Sequence, residues 1–309
     1  HTKIEWHLER VRAWERGERI APILVDMALT RACSIACQFC YATLEEGDRR
    51  PITKAVMERF LTEAAEIGVK AVSLVGDGES TLSPAYVYSI QKGHELGISM
   101  ASGTHGHRVT PDVAEQILPY LEYLRFNFEA GIPEAYGKIM GCSPELFHVA
   151  TENLRSIMDI KRRDKLPVTV GMQMVLMPRY GNEILPLVRH ALDVGVDYLQ
   201  IKHCADDEFG SLGIDYTAYK QWYPVLQEAE AMSTPQTQII VKWKKIADGN
   251  KRSYARCYGA PFILEMSGSG LVVPCGMLTN TRYAKFHIGN IVDDSFKEMV
   301  MGDRYWEVM

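Results

Sequence analysis

The chain has 309 residues, 47% of them hydrophobic and 24% charged, and a formal net charge of −5. Such a composition fits one large α/β domain, or one domain with an appendage. It excludes a nucleic-acid footprint, because no basic run exceeds Lys161-Arg-Arg163, and a membrane span, because no apolar run reaches the length of a bilayer. Seven cysteines are an odd count in a chain large enough to build its own core, which argues against a disulfide framework and for a reducing, cytoplasmic setting.

The first residues, His1–Arg10, predict an amphipathic helix rather than a secretory signal. Ala21–Thr30 predicts a first strand. Thr53–Gly68 predicts a helix with Val56, Phe60, Ala64 and Ile67 on one face and glycine as its stop. Ala71–Val75, Ile98–Ser102, Tyr123–Phe128, Val168–Met177 and Tyr198–His203 predict five more strands. Pro84–Gly97, Thr110–Tyr120, Glu145–Arg163 and Glu183–Gly195 predict the helices between them. Six β-α repeats predict a parallel sheet with right-handed crossovers, either open and doubly wound or a partial barrel. Beyond these repeats, Tyr216–Met232 predicts an amphipathic helix and Ile239–Trp243 a strand. Two apolar runs flanking Ser-Gly-Ser-Gly predict a β-hairpin, with Cys257 before it and Cys275 at its end. His287-Ile-Gly-Asn-Ile291 follows, then a helix over Asp294–Met309.

Ligands of a parallel sheet sit at the carboxyl ends of its strands. Here the first strand runs into Cys33-Ser-Ile-Ala-Cys37-Gln-Phe-Cys40-Tyr41, a C-x3-C-x2-C spacing. Three thiolates can hold three irons of a [4Fe–4S] cube and leave the fourth iron open, whereas ordinary electron-transfer clusters use four cysteines. A zinc site with a fourth ligand from elsewhere is the alternative, and with it a non-catalytic protein. The second strand ends in Gly76-Asp77-Gly78-Glu79, where glycines let the backbone turn sharply and Glu79 can anchor the turn. The third ends in Ser102-Gly-Thr-His105-Gly-His107. Asn127 and Glu129 share a face of the fourth strand, and Gln173 lies on the fifth. The sixth ends at Lys202-His203-Cys204, and Cys142 precedes a helix.

C-x3-C-x2-C followed by an aromatic at the end of a first strand resembles the signature of the radical S-adenosylmethionine (SAM) enzymes, and the supporting pattern runs to about residue 205. The resemblance implies an α/β fold, a partial (β/α)6 barrel over residues 21–214, with an N-terminal helix over 1–20. It implies a [4Fe–4S] cluster on Cys33, Cys37 and Cys40. SAM would be held by Tyr41, Gly76, Asp77, Gly78, Glu79, Ser102, Asn127, Glu129 and Gln173, and a flavodoxin- or ferredoxin-type protein would donate the electron. Gly76-Asp-Gly-Glu79 resembles the family's G-G-E, with Asp77 in place of the second glycine. In that chemistry an electron from the cluster cleaves SAM to a 5′-deoxyadenosyl radical, which takes hydrogen from an unactivated carbon.

The hairpin and the I-G-N-I segment resemble the extensions called SPASM and twitch. They imply that residues 215–309 hold a second, auxiliary cluster through Cys257 and Cys275, with further cysteines expected beyond Met309. The polar residues at the expected mouth, Asn127, Glu129, Gln173, Lys202, His203, Asp206, Asp207 and Glu208, suit a sugar, aminoglycoside or cyclitol. Cys204 at that mouth suits return of a hydrogen atom to the opposite face, hence epimerisation. Oxidation of an alcohol through the auxiliary cluster is the first alternative. Peptide modification is another, set against the roughly twenty residues before the first strand, which leave no room for an added peptide-binding domain.

Overall fold

In the structure, a computed structural model, residues 4–44 and 46–309 are described. Helix α1 (Leu8–Glu15) begins within the predicted N-terminal helix, whose first three residues lie outside the described ones. The repeats follow as β1 (Leu24–Met27), α2 (Lys54–Glu66), β2 (Ala71–Leu74), α3 (Tyr86–Glu95), β3 (Ser99–Thr104), α4 (Pro111–Ile117) and β4 (Leu121–Asn127). The chain continues through α5 (Pro133–Met140), α6 (Glu145–Asp164), β5 (Thr169–Leu176), α7 (Ile184–Val194), β6 (Tyr198–His203), α8 (Tyr223–Ala231), β7 (Gln238–Val241) and α9 (Trp243–Asp248). The last part holds β8 (Ile263–Met266), β9 (Leu271–Val273), β10 (Gly289–Asn290), α10 (Phe296–Met301) and α11 (Asp303–Val308).

Among the described residues the ten strands form one sheet in the order β10-β9-β8-β1-β2-β3-β4-β5-β6-β7. The pairs from β1 through β7 are parallel, as is β8 on β1; β9 and β10 run antiparallel. The sheet is not closed, so the architecture is the expected partial barrel with an open side between its end strands. It continues without a break across residues 214 and 215, where the sequence suggests a division. β7 extends the parallel run by one strand, and β8 returns to the first strand.

Periodicity explains the layers. On α6, Phe147, Ala150, Thr151, Leu154, Ile157 and Met158 recur every three to four residues and are buried against the sheet, while its basic residues face outward. On α7 the same holds for Leu187, Val188, Ala191 and Val194. The strands beneath are almost wholly apolar on the helix side, with Leu124, Phe126, Met172, Met174, Leu199 and Ile201 buried. Edge strand β7 is not left bare. Its outward amides donate to α8 and the turn after it, Ile239 N to Ser233 Oγ (3.0 Å) and Val241 N to Glu230 Oε1 (3.3 Å). Among the described residues no helix is long and apolar enough to cross a membrane.

Some elements differ from those predicted. The helix expected over Tyr216–Met232 is a 3-10 stretch to Trp222 followed by α8, and α9, which starts where the strand was expected to end, was not predicted. The last helix is broken at Gly302 into α10 and α11. And α5 was not expected: Pro133 opens it with a fixed φ, and Gly141 closes it in the left-handed region (φ +61°).

Candidate active site

The carboxyl ends of β1 to β4 surround a cavity of about 510 Å³. Cys33, Cys37 and Cys40 line it, with Gly76, Asp77, Gly78 and Glu79, then Gly103, Thr104 and His105, and Asn127. Groups some fifty to a hundred residues apart in sequence therefore face one space.

The cysteine loop is held from below by the unexpected helix. Ala36 N donates to Gly141 O (3.3 Å), Gln38 N to Ile139 O (3.0 Å) and Gln38 Nε2 to Lys138 O (2.8 Å). A Cβ on Gly141 would lie 2.1 Å from Ala36 O, so only glycine lets the end of α5 approach the loop. Gln38 Oε1 also accepts from Tyr180 Oη (2.7 Å) and Arg179 (3.1 Å). The loop is thus fixed by main-chain bonds, with its thiols turned to the cavity.

Burial raises the pKa of Cys33 and of Cys37; the charge of Glu79 beside Cys33 and of Glu129 beside Cys37, and after these the neighbouring thiolates, raise them further. Packing thiolates this way costs free energy unless a cation neutralises them. Among the described residues no three His, Cys, Asp or Glu side chains converge on a single ion. Three thiols lining one cavity are the donor set that a polynuclear iron–sulfur group would take, one iron to each.

Glu79 is 4% exposed and makes the turn after β2 rigid. Its Oε1 accepts from Thr81 N (3.2 Å), Thr81 Oγ1 (2.7 Å) and Thr104 Oγ1 (2.8 Å); its Oε2 accepts from His105 N (3.0 Å). It ties the end of β2 to the end of β3. The glycines serve a purpose besides ligand approach. A Cβ on Gly76 would lie 2.6 Å from Ala28 N, and one on Gly78 would lie 1.9 Å from Thr30 O. They let the turn press against the root of the cysteine loop.

His105 lines the cavity beside Ser34 Oγ (3.2 Å), and burial lowers its pKa. His107 does not line it. Its Nε2 bonds Tyr136 Oη (2.8 Å), and burial pushes its pKa down to about 3. Asn127 heads an amide ladder in register across β4, β5 and β6. Gln200 Nε2 donates to Gln173 Oε1 (3.1 Å), and Gln173 Nε2 donates to Asn127 Oδ1 (3.2 Å). Gln173 thus orients Asn127 rather than lining the cavity. Glu129 is 1% exposed and accepts from Val175 N (2.7 Å). Among the described residues its Oε1 has no partner, and burial pushes its pKa up to about 8.

Three expectations are corrected in place. Ser102 is on the helix side of β3, fully buried and bonded to Tyr86 Oη (2.9 Å), because within the strand it alternates with Gly103, which takes the cavity face. Tyr41 turns toward the C-terminal segment, where its hydroxyl would lie 3.2 Å from a Cβ on Gly276. Cys204 is not at the mouth: it is fully buried, its Sγ 3.5 Å from Ala205 O and 4.0 Å from Phe39 O beneath the cysteine loop. Burial, with the Glu129 and Asp206 charges, pushes its thiol up to about 12.

Arg31, Arg49 and Met140 also line the cavity. Sequence reasoning missed them; Arg31, two residues before Cys33, was the findable one. The hairpin brings Cys275 close enough to Cys257 for the charge of one to raise the other. Both residues are exposed, yet the Cys275 thiol is raised first by desolvation and then by Glu265.

A parallel partial barrel with a three-thiol loop at the end of β1 and a glycine turn at the end of β2 defines a class of iron–sulfur enzyme. Residues 27–191 match the radical SAM superfamily model, and the chain belongs to that superfamily, whose members use a [4Fe–4S] cluster and SAM.

Among curated relatives, the probable GTP 3′,8-cyclase of Saccharolobus solfataricus is 25% identical over 196 residues, 63% of this chain and 59% of the cyclase. The match therefore spans about three fifths of that relative's length. The mycofactocin maturase MftC of Mycolicibacterium smegmatis is 24% identical over 312 aligned positions, 92% of this chain and 71% of the maturase. Among solved structures, SuiB of Streptococcus suis bound to S-adenosylmethionine superposes with a TM-score of 0.72 at 15% identity, covering 96% of this chain and 69% of SuiB. The structure titled anSMEcpe with bound AdoMet superposes at 0.65 with 16% identity, covering 93% of this chain and 83% of that one. These likenesses show the fold.

Proposed function

We propose that this chain is a radical SAM enzyme that modifies a peptide. The observation that carries the reading is the reach of the maturase alignment. It covers 92% of the chain, whereas the cyclase alignment covers 63%. SuiB, solved with its precursor peptide SuiA, is consistent with it in fold. This takes precedence over the sugar epimerase expected from sequence, whose hydrogen donor, Cys204, is sealed beneath the loop.

In this reading Cys33, Cys37 and Cys40 hold the cluster, and the turn Gly76–Glu79 with Asn127 holds SAM. When bound, the cluster supplies one electron to SAM. The protein's own part is to hold SAM beside the cluster and to orient the substrate carbon. The concave face below the cavity supports a charged substrate. By register Asp26 and Glu265 are neighbours on β1 and β8, while Arg125 and Lys202 stand on β4 and β6. All four are half-buried; Asp26 is hydrogen-bonded to Ser73 and Arg125 lies over the Tyr123 ring, but none is in an ion pair among the described residues. Desolvation, with Arg125 and Lys245, pushes Lys202 down to about 8, and desolvation, with Asp26 and Asp77, pushes Glu265 up to about 8. Half-buried cations that no carboxylate pairs, Arg125 and Lys202, favour an anionic ligand. Arg125 and Lys202 would take an acidic side chain of the peptide. Cys257 and Cys275 would hold an auxiliary cluster.

The test is anaerobic incubation of the reconstituted enzyme with reductant, SAM and synthetic peptide pools, acidic and neutral, beside a pool of sugars and cyclitols. Peptide-dependent 5′-deoxyadenosine, with a mass change on a peptide and preference for the acidic pool, is expected. Formation that responds to the sugars and to no peptide would overturn the proposal.

A further inference from the structure

Asp77 stands where the family motif has glycine, and its carboxylate does not face solvent: Asp77 is 8% exposed. Its Oδ2 accepts from Ser267 Oγ (2.5 Å) and its Oδ1 from Gly268 N (2.7 Å), both in the turn between β8 and β9. Arg31 Nε lies 3.3 Å from Oδ2, and both side chains of that pair are buried. The same hairpin turn presses on the root of the cysteine loop. A Cβ on Gly268 would lie 2.2 Å from the Thr30 carbonyl carbon, and Gly78 crowds Thr30 O. Thr30 and Arg31 are therefore clasped between two glycine-bearing turns, one at the end of β2 and one in the C-terminal hairpin. The only side chain bonded to both partners of that clasp, the hairpin turn and Arg31, is Asp77 among the described residues.

We propose that Asp77 is a positioning residue through which the C-terminal hairpin sets the shape, and so the affinity, of the SAM turn. A glycine at this position would leave the turn free to move apart from the hairpin. With aspartate, one carboxylate fixes the hairpin, the turn and Arg31 at once. Buried charge-assisted bonds of this kind are strong enough to hold one conformation. Since coupling between two sites is reciprocal, SAM must also order the hairpin. The inference rests on Gly76–Glu79 being the SAM turn, as in the reading above.

The experiment measures SAM affinity of the reconstituted full chain by equilibrium dialysis without reductant. Asp77→Asn should weaken SAM by about tenfold, the scale of one lost charge-assisted bond, with the visible spectrum of the cluster unchanged. Ser267→Ala, made from the hairpin side, should weaken it less, and the double variant should be no weaker than Asp77→Asn alone. Hydrogen exchange on the unmodified enzyme supplies a measurement that needs no variant to fold: SAM should slow exchange at Gly268 and Gly270. SAM affinity within twofold of the parent in Asp77→Asn, effects of the two substitutions that multiply, or hairpin amides indifferent to SAM would each overturn the coupling. Glu79→Gln separates the two ideas. If it leaves SAM affinity unchanged, the assignment of the turn itself fails. If it weakens SAM while Asp77→Asn does not, only the coupling fails.

Discussion

At the residue scale, the proposed chemistry rests on three thiols, whose positions were readable because spacing alone puts them on one loop. Cys33→Ala, Cys37→Ala or Cys40→Ala should each lower bound iron by about four per chain, the content of one cube, and abolish 5′-deoxyadenosine formation. A variant that still cleaves SAM at the parent rate would remove the loop from the account. Gln173, expected at the cavity, lies inside β5 and bonds Asn127 instead; the other residues misplaced from sequence, Ser102, Tyr41 and Cys204, all lie within two positions of a strand or loop end. There, a shift of one residue exchanges the cavity face for the helix face. The structural histidines make a separate prediction. His190 lies against Phe128 and Phe147. Thr151 Oγ1 donates to Phe147 O (2.8 Å), so it accepts from His190 Nε2 at 3.2 Å. Burial pushes the His190 pKa down to about 4. A depressed pKa means that the unfolded chain takes up the proton first. The stabilisation is therefore full above about pH 6.5, the ordinary histidine value, and is lost as pH falls toward 4. His190→Gln should flatten the fall of the thermal midpoint across that window; an unchanged slope would show that His190 is not the group being titrated.

At the element scale, the six repeats were legible because buried strands and amphipathic helices differ in period. Helix α5 was not. It has eight residues, and its sequence, Pro-Glu-Ala-Tyr-Gly-Lys-Ile-Met, carries an internal glycine and sits between two stronger signals. It is nonetheless the floor of the cysteine loop, through Gly141 and the carbonyls of Lys138 and Ile139. The amide ladder from Gln200 to Asn127 was also out of reach, since it exists only once register is set. The edge of the sheet gives a test at this scale. Glu230 bonds both Val241 N and Trp243 Nε1 (2.9 Å), closing the outer side of β7. Glu230→Ala leaves two donors without that acceptor and opens a strand edge, so it should cost about 1–3 kcal/mol and raise light scattering on heating. Urea unfolding and scattering traces matching the parent would show that the capping contributes nothing.

At the scale of the whole molecule, the C-terminal hairpin was legible as a hairpin but not as a wall of the barrel. Parallel pairing of β8 with β1 joins residues more than two hundred positions apart, and no local pattern encodes it. The consequence is that the segment matching the family, residues 27–191, should not stand alone. Without β8, the first strand becomes an edge, and Asp77 and Arg31 lose the hairpin turn. Leu264, Met266, Val272, Ile291, Phe296, Val300 and Tyr305 also leave the core. Each such side chain contributes about 1.5–3 kcal/mol when buried, as an upper estimate. Together they are comparable with the whole net stability of a domain, about 5–15 kcal/mol. A chain ended at Asn250 keeps Cys33, Cys37, Cys40 and the entire glycine turn, so a barrel that folds independently of the extension would still take up a cluster and retain SAM. The expected result is the reverse. The shortened chain should be degraded by protease within the time the full chain survives, and should fail to retain SAM after iron–sulfur reconstitution. Residues 251–309 supplied as a separate polypeptide during refolding should restore both properties, because the contact is non-covalent. Cluster loading and SAM affinity in the shortened chain equal to those of the full one would mean that the barrel, not the continuous ten-stranded sheet, is the unit that folds.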